Sequence, residues 1–373
     1  MRDKNIKVLL INTVETDRNG ITGVLFNYLR NINSNEIQFD LLSINTPNQS
    51  YICEVNNKGG NVYVIPRMDG AIKYLVELVS LIKRYHYEIV HIHGNSHSVI
   101  LELIAAWIAG CKIRIVHSHN TTCSFPLIHR ILTPVFNMLY THGVACGKEA
   151  GEWMFGGKPF TVFNNGVNTE VFAFKQRTRD LYRKELGIQE DKKLVGHVGL
   201  FNEQKNHSFI IKVFKEIYLN DNRYRLLLIG DGELRPTITE LVDELGLNNV
   251  VYFTGSISNV SDYLNAIDVI LMPSLYEGLP LALVEQQANG LKCIVSDAIP
   301  KEVDKTGSII FLSLNNSAVM WANMVLKFKV DSRNDISKKN IEIIKEAGYC
   351  IQSEAKRLED FYWGAYEKLS TKK

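Results

Sequence analysis

The sequence lacks the features that mark membrane-spanning, disulfide-stabilised or nucleic-acid-binding proteins. Its six cysteines are scattered over 373 residues without a C-x-x-C pair, so neither a disulfide framework nor a structural zinc site is indicated. No apolar run approaches the ~18 to 20 residues that span a bilayer, and the longest, Val99–Ala109, is interrupted by Glu102. The formal net charge is only +2, which gives no reason to expect nucleic acid as a partner.

The first residues, MRDKNIKVLLINT, contain only four consecutive strongly apolar positions. That run is too short for the apolar core of a signal peptide and is more typical of a first strand. Because the cysteine pattern suits a reducing compartment, we expect a cytoplasmic protein. Peripheral contact with the inner face of the membrane stays open.

Short β-branched runs alternate with longer helical patterns, which predicts an α/β protein built on parallel sheets with helices on both faces. The length exceeds one ordinary core, so two Rossmann-like, doubly wound domains are expected, and their ligands should lie in a cleft between them. We place the boundaries at 1–168, with a returning helix at about 353–373, and at 169–352. The predicted strands are Lys7–Asn12, Phe39–Ile44, Val62–Pro66, Ile89–His93, Ile113–His117, Gly143–Cys146, Thr161–Phe163, Leu194–Val198, Arg225–Ile229, Val250–Phe253, Val269–Met272, Cys293–Ser296 and Ile309–Leu312.

The most informative segment reads EGLPLALVE and places two glutamates around a Gly-Leu-Pro turn, between an apolar strand and a helical pattern. Such a turn exposes backbone N–H groups at a helix N-terminus, where partial positive charge binds phosphate. The ordinary interpretation of two such glutamates is a pair of solvated surface carboxylates. The strand and the turn favour a pocket for a nucleotide diphosphate-sugar instead, formed by Glu277, Gly278, Leu279, Pro280, Leu281 and Glu285.

Further glycine-containing turns follow other predicted strands. Gly199 ends one strand, and Lys205 shortly after it is able to neutralise the charge that develops on a leaving diphosphate. Asp231 in Gly-Asp-Gly and Ile257 in Gly-Ser-Ile are expected to line the nucleotide cavity, although both segments also suit plain β–α turns. Gly20 in Gly-Ile-Thr-Gly either lets backbone approach a phosphate or sugar, or simply begins a helix. Neither a Gly-x-Gly-x-x-Gly fingerprint nor an Asp-x-Asp near a strand end is present, so a bound dinucleotide or divalent metal is not expected.

Eight of the ten histidines lie between His86 and His142, and they include the sequences His-Ile-His at 91–93 and His-Ser-His at 117–119. Alternate residues on a strand share a face, so each pair is able in principle to chelate a metal. No nearby carboxylate or cysteine completes a tetrahedral set, and we predict no metal site and no cofactor. His117 ends a strand, where a cleft would open, and the alternative is a core histidine satisfied by backbone.

Taken together, EGLPLALVEQQANG, GHVGLFNEQKNH and RIVHSHN resemble the retaining glycosyltransferase family 4, over most of the chain up to about residue 300. The resemblance implies the GT-B fold, with a terminal helix that returns to the first domain. Gly20 matches a glycine of a cleft-facing loop, and His117 matches the acceptor-side histidine, expected near the reacting carbon, with His119 as second choice. Leu200 departs from the pattern, because the family usually has an arginine there. Losing such a donor commonly costs ~2.7–4 kcal/mol of transition-state stabilisation.

The resemblance implies metal-independent transfer of a hexosyl or N-acetylhexosaminyl group from a nucleotide sugar, with UDP as the expected carrier. The implied acceptor is a saccharide or polyprenyl-diphosphate-linked saccharide, used in capsule or exopolysaccharide synthesis. We expect Glu285 on the ribose, Glu277 on the transferred sugar, and Lys205 with the backbone of Leu279–Leu281 on the diphosphate. No carboxylate is an evident nucleophile, so retention implies front-face attack in which the leaving phosphate oxygen takes the acceptor proton. A GT-B sugar-nucleotide epimerase and a glycosyltransferase-like binding subunit with little activity are the alternatives.

Overall fold

The computed structural model describes residues 5–17, 19–123, 125–328 and 332–370, which divide into two compact units. The first unit takes in 1–166 and 351–373, and the second takes in 167–350. Each unit contains one wholly parallel sheet with helices on both faces. The predicted fold class is therefore confirmed.

The first unit has a seven-stranded sheet in the order β3-β2-β1-β4-β5-β6-β7. Its strands are buried apolar runs, as expected where helices cover both faces of a parallel sheet. The direction of strand order reverses between β1 and β4. The strands are β1 (Ile6–Asn12), β2 (Ile37–Ser43), β3 (Val62–Val64), β4 (Ile89–Gly94), β5 (Ile113–Ser118), β6 (His142–Ala145) and β7 (Thr161–Val162).

The helices of the first unit form two apolar layers, one on each face of the sheet. One face packs against α1 and α15, and the other packs against α3, α4, α5 and α6. The final helix is thus part of the first unit, and it packs directly on α1. The helices are α1 (Gly20–Asn31), α2 (Gln49–Asn57), α3 (Ala71–Tyr85), α4 (Ile100–Ile108), α5 (Pro126–Leu139), α6 (Lys148–Phe155) and α15 (Ile351–Ser370).

The second unit has a six-stranded sheet in the order β10-β9-β8-β11-β12-β13, which reverses between β8 and β11. Its strands are β8 (Lys193–Val198), β9 (Tyr224–Ile229), β10 (Val251–Gly255), β11 (Val269–Met272), β12 (Lys292–Ser296) and β13 (Ile309–Leu312). Its helices are α7 (Thr169–Phe172), α8 (Gln176–Glu185), α9 (His207–Asn220), α10 (Arg235–Glu244), α11 (Val260–Ala266), α12 (Leu281–Ala288), α13 (Ala318–Leu326) and α14 (Arg333–Glu346).

Each of the predicted strands is present, with ends that differ by no more than two residues. The segment 99–109, which is the longest apolar run of the sequence, corresponds to α4. None of the helices within the described ranges is both long enough and apolar enough to cross a membrane.

Candidate functional site

The candidate donor site lies at the carboxyl ends of β8 and β11, where the strand order of the second unit reverses. In open parallel sheets ligands bind outside the carboxyl ends of strands at such a reversal. The segment after β8 carries Lys205 at the end of a short 3₁₀ turn, and the segment after β11 carries Glu277. The topology therefore brings together two residues that are far apart in sequence.

Lys205 and Glu277 form a nearly buried ion pair. Lys205 Nζ lies 2.5 Å from Glu277 Oε1, and the two side chains are 16% and 8% exposed. Gln204 Nε2 donates to the other carboxylate oxygen of Glu277 at 3.1 Å and to the carbonyl of Tyr276 at 3.0 Å. The carboxylate is thus held on both oxygens, and one of its partners is the cation that the sequence assigns to a diphosphate.

Backbone contacts fix these two loops to each other. Leu275 N–H donates to the Gln204 carbonyl at 2.8 Å, and Asn206 Nδ2 donates to the Pro273 carbonyl at 3.2 Å. Asn206 has φ of 55°, a left-handed conformation that asparagine tolerates better than most residues, and it ends the 3₁₀ turn. Lys205 is therefore positioned by its loop as well as by its ionic partner.

The predicted Gly-Leu-Pro turn leads directly into α12, which begins at Leu281 after Pro280. Leu283 N–H donates to the Pro280 carbonyl at 2.9 Å, and among the described residues no side chain caps this first turn. A helix leaves its first amide N–H groups without intrahelical partners, and its dipole adds partial positive charge there. The segment Gly278–Leu281 is therefore suited to an anion.

Glu285 lies on α12, about one turn after its start, and differs from Glu277 in its surroundings. Burial raises the pKa of the Glu285 carboxyl to about 8. A carboxyl with that pKa is mostly protonated at neutral pH. The sequence suggests two similar carboxylates, but within the described residues only Glu277 of the two forms an ion pair with a cation.

The glycine turns after β8 and β9 approach each other so closely that side chains are excluded. A Cβ on Gly230 would stand 2.0 Å from the carbonyl oxygen of Gly199, and Gly230 has φ of 137°. Gly199 N–H donates to the Ile229 carbonyl at 3.0 Å, and Gly230 N–H donates to the Gly255 carbonyl at 3.1 Å. These contacts bring the ends of β8, β9 and β10 into one surface.

Asp231 and Ile257 occupy this edge without contacting the ion pair. Asp231 Oδ1 accepts from Gly232 N–H at 2.9 Å, and Asp231 Oδ2 lies 3.2 Å from Arg235 Nη1. Ile257 packs, partly buried, against the apolar core of the second unit. Leu200 is 58% exposed, so its position has room for a longer side chain.

In the first unit Gly20 is the opening residue of α1, and the Asn19 side chain caps the helix by accepting from Thr22 N–H at 3.0 Å. A Cβ on Gly20 or on Gly23 would meet no heavy atom within 4 Å. The alternative of a plain helix entry therefore describes the local structure, and the space beside Gly20 is open.

Four histidines gather on one face at the carboxyl ends of β4 and β5. The parallel register pairs His93 with His117, and His91 lies on the same face two residues before His93. Neighbouring rings have centroids 4.2 to 5.4 Å apart. His91 Nδ1 is 2.6 Å from the Tyr362 hydroxyl, and His93 Nδ1 is 2.9 Å from His119 Nε2.

Burial is the main cause of low basicity throughout this group. It lowers the pKa of His91 and of His119 to about 3, and it lowers the pKa of His93 and of His117 well below the usual value. All four rings are therefore neutral at physiological pH. His117 is 1% exposed, and neither of its nitrogens has a partner in the described part of the chain.

Three residues of these sites are not foreseen from the sequence. Gln204 immediately precedes Lys205, and in that motif only the charge of the lysine indicates a function. The position of Gln204 between two loops depends on the fold. Arg235 begins α10, and its charge is visible in the sequence but its place over the end of β10 is not. Tyr362 contacts His91 across 271 positions of sequence. Only its place in the amphipathic pattern of α15 indicates that it is buried.

Comparison with known proteins agrees with this architecture. The profile of a family described as glycosyl transferases group 1 matches residues 178–342. EpsF of Bacillus subtilis (strain 168), which carries the name of a glycosyltransferase, is 31% identical over 369 residues, or 94% of this chain and 95% of that protein. The UDP-Gal:alpha-D-GlcNAc-diphosphoundecaprenol alpha-1,3-galactosyltransferase of Escherichia coli is 30% identical over 313 residues, covering 78% of this chain and 79% of that enzyme.

Solved structures show the same fold at lower identity. Anabaena HepE in complex with UDP superposes with a TM-score of 0.77 at 15% identity, covering 96% of this chain and 100% of that chain. Sucrose-phosphate synthase from Thermosynechococcus elongatus gives 0.71 at 17% identity, covering 98% and 100%. On the relatives' identity and coverage, and on the two parallel-sheet units, the chain belongs to the group 1 glycosyltransferases, a family with the GT-B fold.

Proposed function

We propose that this glycosyltransferase moves a sugar from a UDP-sugar to a saccharide or lipid-linked saccharide acceptor in exopolysaccharide synthesis, with retention of configuration. The observation that carries the donor proposal is the Lys205–Glu277 pair beside the start of α12 at the strand-order reversal. The E. coli relative is named for a UDP-Gal donor and a diphosphoundecaprenol-linked acceptor. The support for a role in exopolysaccharide synthesis is the sequence similarity to EpsF.

In the proposed donor complex the diphosphate replaces Glu277 as the main partner of Lys205. The backbone N–H groups at the start of α12 bind the same anion, so negative charge that grows on the leaving group meets fixed positive dipoles. Glu277, released from Lys205 but still held by Gln204, accepts hydrogen bonds from hydroxyls of the transferred sugar. Glu285 accepts from the ribose hydroxyls, and Asp231 and Ile257 line the nucleotide cavity.

We propose that no divalent ion is needed at the diphosphate. Lys205 and the N-terminus of α12 supply positive charge at the diphosphate. Leu200 stands where the family usually has an arginine, so one cation of the family's site is missing here. Donor binding and transfer should then survive treatment with a chelator. Loss of UDP binding in EDTA, with restoration by Mg²⁺, would contradict this part of the proposal.

Retention is proposed to follow from front-face attack. The acceptor hydroxyl approaches the anomeric carbon on the side that the diphosphate leaves, and its proton passes to the leaving phosphate oxygen. The bond from carbon to the acceptor oxygen forms as the bond to the phosphate oxygen breaks, so no protein nucleophile is required. His117, neutral and with both nitrogens unpartnered among the described residues, is proposed to hydrogen-bond near the reacting carbon.

An exposed apolar stripe on α5 supports a lipid-linked acceptor. Leu127, Ile131, Val135 and Met138 recur at helical spacing, and three of them are more than two-thirds exposed. A helix of this kind lies in the interfacial plane of a bilayer with its apolar face among the acyl chains. We propose that the stripe contacts the membrane that holds the acceptor.

Vesicle sedimentation tests the membrane contact. The double variant Leu127→Ser, Ile131→Ser should release the full chain from phospholipid vesicles. Substitution of Leu219, a leucine of α9 with similar exposure, by serine should not do so. UDP binding should be the same in all three proteins. Equal sedimentation of the wild type and the double variant would remove α5 from the proposal.

Donor turnover tests the function itself. The purified full chain is incubated with individual UDP- and GDP-sugars, with and without a polyprenyl-diphosphate-linked saccharide, and released nucleotide is measured. The proposal expects UDP release that needs the acceptor, disappears in Glu277→Ala, and gives a product of unchanged anomeric configuration by NMR. Conversion of the donor sugar without acceptor would instead identify an epimerase. Tight UDP binding without turnover would identify a binding subunit, an alternative suggested by Leu200 at the position where the family usually has an arginine.

A further inference from the structure

The backbone pairing between β8 and β11 ends shortly before the two loops of the candidate donor site. In the described strands the pairing stops after Gly196 and Ile270, although each strand continues for two more residues. A side chain connects the strands beyond that point, because His197 Nδ1 lies 2.8 Å from the carbonyl oxygen of Leu271. The imidazole of His197 thus joins the two strands that lead into the donor site.

The contact with Leu271 fixes the tautomer of the His197 ring. A carbonyl oxygen only accepts hydrogen bonds, so Nδ1 must carry a proton. Burial lowers the pKa of His197 well below its usual value, so the ring is neutral at physiological pH and has no second proton. Nε2 is therefore a lone-pair acceptor, and it is buried without a hydrogen-bond partner among the residues that the structure describes. A buried acceptor of this kind is unfavourable until a donor reaches it.

The side chain of Lys205 is close enough to be that donor. A Cβ on Gly199 would stand 2.9 Å from His197 Nε2, 3.1 Å from Lys205 Cγ and 3.2 Å from Lys205 Cδ. The imidazole edge and the lysine stem therefore share the space beside this glycine, and the ammonium lies only two bonds beyond Cδ. Its nitrogen has three N–H donors, and Glu277 Oε1 accepts one of them in the free protein. Rotation about the last torsions of the lysine is able to bring another N–H to Nε2.

His207 packs against the same ring and adds no competing charge. Its ring meets that of His197 edge to face, with centroids 4.7 Å apart, and stacks on Phe201 at 4.0 Å. Burial, with the charge of Lys205 as a smaller cause, lowers the pKa of His207 to about 4. Both imidazoles beside Lys205 are therefore uncharged at physiological pH, and neither repels its ammonium.

We propose that His197 is a positioning residue of the donor site, in which Nε2 accepts a hydrogen bond from the Lys205 ammonium once the diphosphate has displaced Glu277. Nδ1 meanwhile continues to hold β11 through Leu271. This inference rests on the proposed function, because it requires a diphosphate at Lys205. The hydrogen bond stabilises the charged lysine in a site from which the ligand excludes water, and it holds the ammonium in one orientation. That orientation matters more here than in relatives with an arginine at the position of Leu200.

NMR of the full chain, labelled with ¹⁵N in its histidines, tests the state of the ring. The resonances of His197 are assigned by their loss in His197→Asn. In the free protein we expect a protonated Nδ1 and an unprotonated Nε2, and we expect the Nε2 resonance to shift when UDP is added but not when uridine is added. A protonated Nε2 in the free protein would overturn the inference. An Nε2 resonance unchanged by saturating UDP would also overturn it, since a water molecule would then be the partner of Nε2.

A pair of variants tests whether His197 acts through Lys205. Asparagine carries its amide nitrogen on Cγ, where histidine carries Nδ1, so His197→Asn keeps a donor for Leu271 and lacks Nε2. We expect this variant to unfold near the wild-type temperature and to bind UDP ~10–100-fold more weakly, the usual effect of losing a hydrogen bond to a charged group. Uridine affinity should be unchanged. His197→Phe, which keeps a ring but neither nitrogen, should in addition lower the unfolding temperature. His142→Asn, on β6 of the first unit, is the control and should bind UDP as the wild type does.

The same substitution in a second background separates positioning from a merely structural role. In Lys205→Met the partner of Nε2 is absent, so adding His197→Asn should change UDP affinity less than ~2-fold. Equal losses of UDP affinity in the two backgrounds would refute the role of His197. If the wild type still transferred sugar, the proposed function would stand without this inference. A wild type that binds no UDP-sugar and no UDP would remove both.

Discussion

Replacing Glu277 by Gln is expected to tighten the binding of UDP while it abolishes most sugar transfer. In the free protein Glu277 neutralises Lys205 at 2.5 Å, so the diphosphate must compete with a carboxylate for the same ammonium. A carboxylate that stays near the bound diphosphate also repels it. Two like charges about 6 Å apart repel by about 3 kcal/mol at an effective dielectric constant of ~20, an upper bound for this pair.

Removal of the cation of this ion pair should have the opposite effect on UDP binding. Lys205→Met removes the cation, and we expect UDP binding to weaken and kcat/KM to fall ~10²–10³-fold, the usual consequence of losing one charged donor to a transition state. It should also destabilise the second unit by ~3 kcal/mol, because Glu277 would remain nearly buried with only Gln204 as partner. Glu277→Gln should cost less stability, since the flexible lysine is able to reach water.

Isothermal titration with UDP and with uridine at ~0.15 M salt distinguishes these effects, because uridine carries no diphosphate and should bind the three proteins equally. Urea unfolding of the single and double variants gives the coupling free energy of the pair. The argument fails if Glu277→Gln weakens UDP binding, or if Lys205→Met weakens uridine and UDP to the same extent. Either result would mean that the pair supports the fold of the pocket and does not compete with the diphosphate.

Three further outcomes are expected. UDP affinity should rise with pH up to about 8, because the ribose hydroxyls require ionised Glu285 and burial holds the pKa of this carboxyl near 8 in the free protein. In calorimetry on Glu285→Gln, where UDP itself titrates as it does with the wild type, UDP affinity should depend less on pH. Parallel pH profiles of UDP affinity for the two proteins would contradict the assignment of Glu285 to the ribose. Leu200→Arg should raise kcat/KM by up to ~10²-fold, because the exposed position has room for a second cation that would bind the diphosphate. An unchanged steady-state rate would mean that another group already supplies this positive charge. Gly230→Ala should destabilise the protein by ~3–5 kcal/mol in thermal unfolding, since its Cβ would overlap the Gly199 carbonyl. Gly364→Ala, with open space inside helix α15, should not destabilise the protein and is expected to stabilise it by up to ~1 kcal/mol. Equal melting temperatures for both variants would show that the turn at Gly230 relaxes.

The strands of both sheets were predictable because they are short apolar runs rich in β-branched residues, and such runs are typical of the buried strands of parallel sheets. The turn before α12 was predictable because glycine tolerates backbone conformations that other residues avoid and proline fixes its own φ near the helical value. The pairing of Lys205 with Glu277 was not, since it spans 72 positions and depends on β11 lying beside β8.

The histidines show the same limit more sharply. Strand periodicity places His91 and His93 on one face, but only the register of β4 with β5 sets His93 opposite His117. The pKa of Glu285 likewise depends on burial by distant segments. The difference between the surroundings of Glu285 and those of Glu277 therefore cannot be predicted from the EGLPLALVE motif. Local chemistry could be predicted from the sequence, and long-range coincidence of side chains could not.

The return of α15 to the first unit has a consequence for the order in which the protein is made. A ribosome delivers the chain from its N-terminus, and domains fold as they emerge. The second unit is continuous from 167 to 350 and has all its strands before the last helix is synthesised. In the first unit, the face of the sheet that packs against α1 stays partly uncovered until Ile351, Leu358 and Tyr362 have been synthesised. The part of the protein that is translated first is thus completed last, and a prematurely terminated chain would expose that apolar face to the quality-control machinery of the cell.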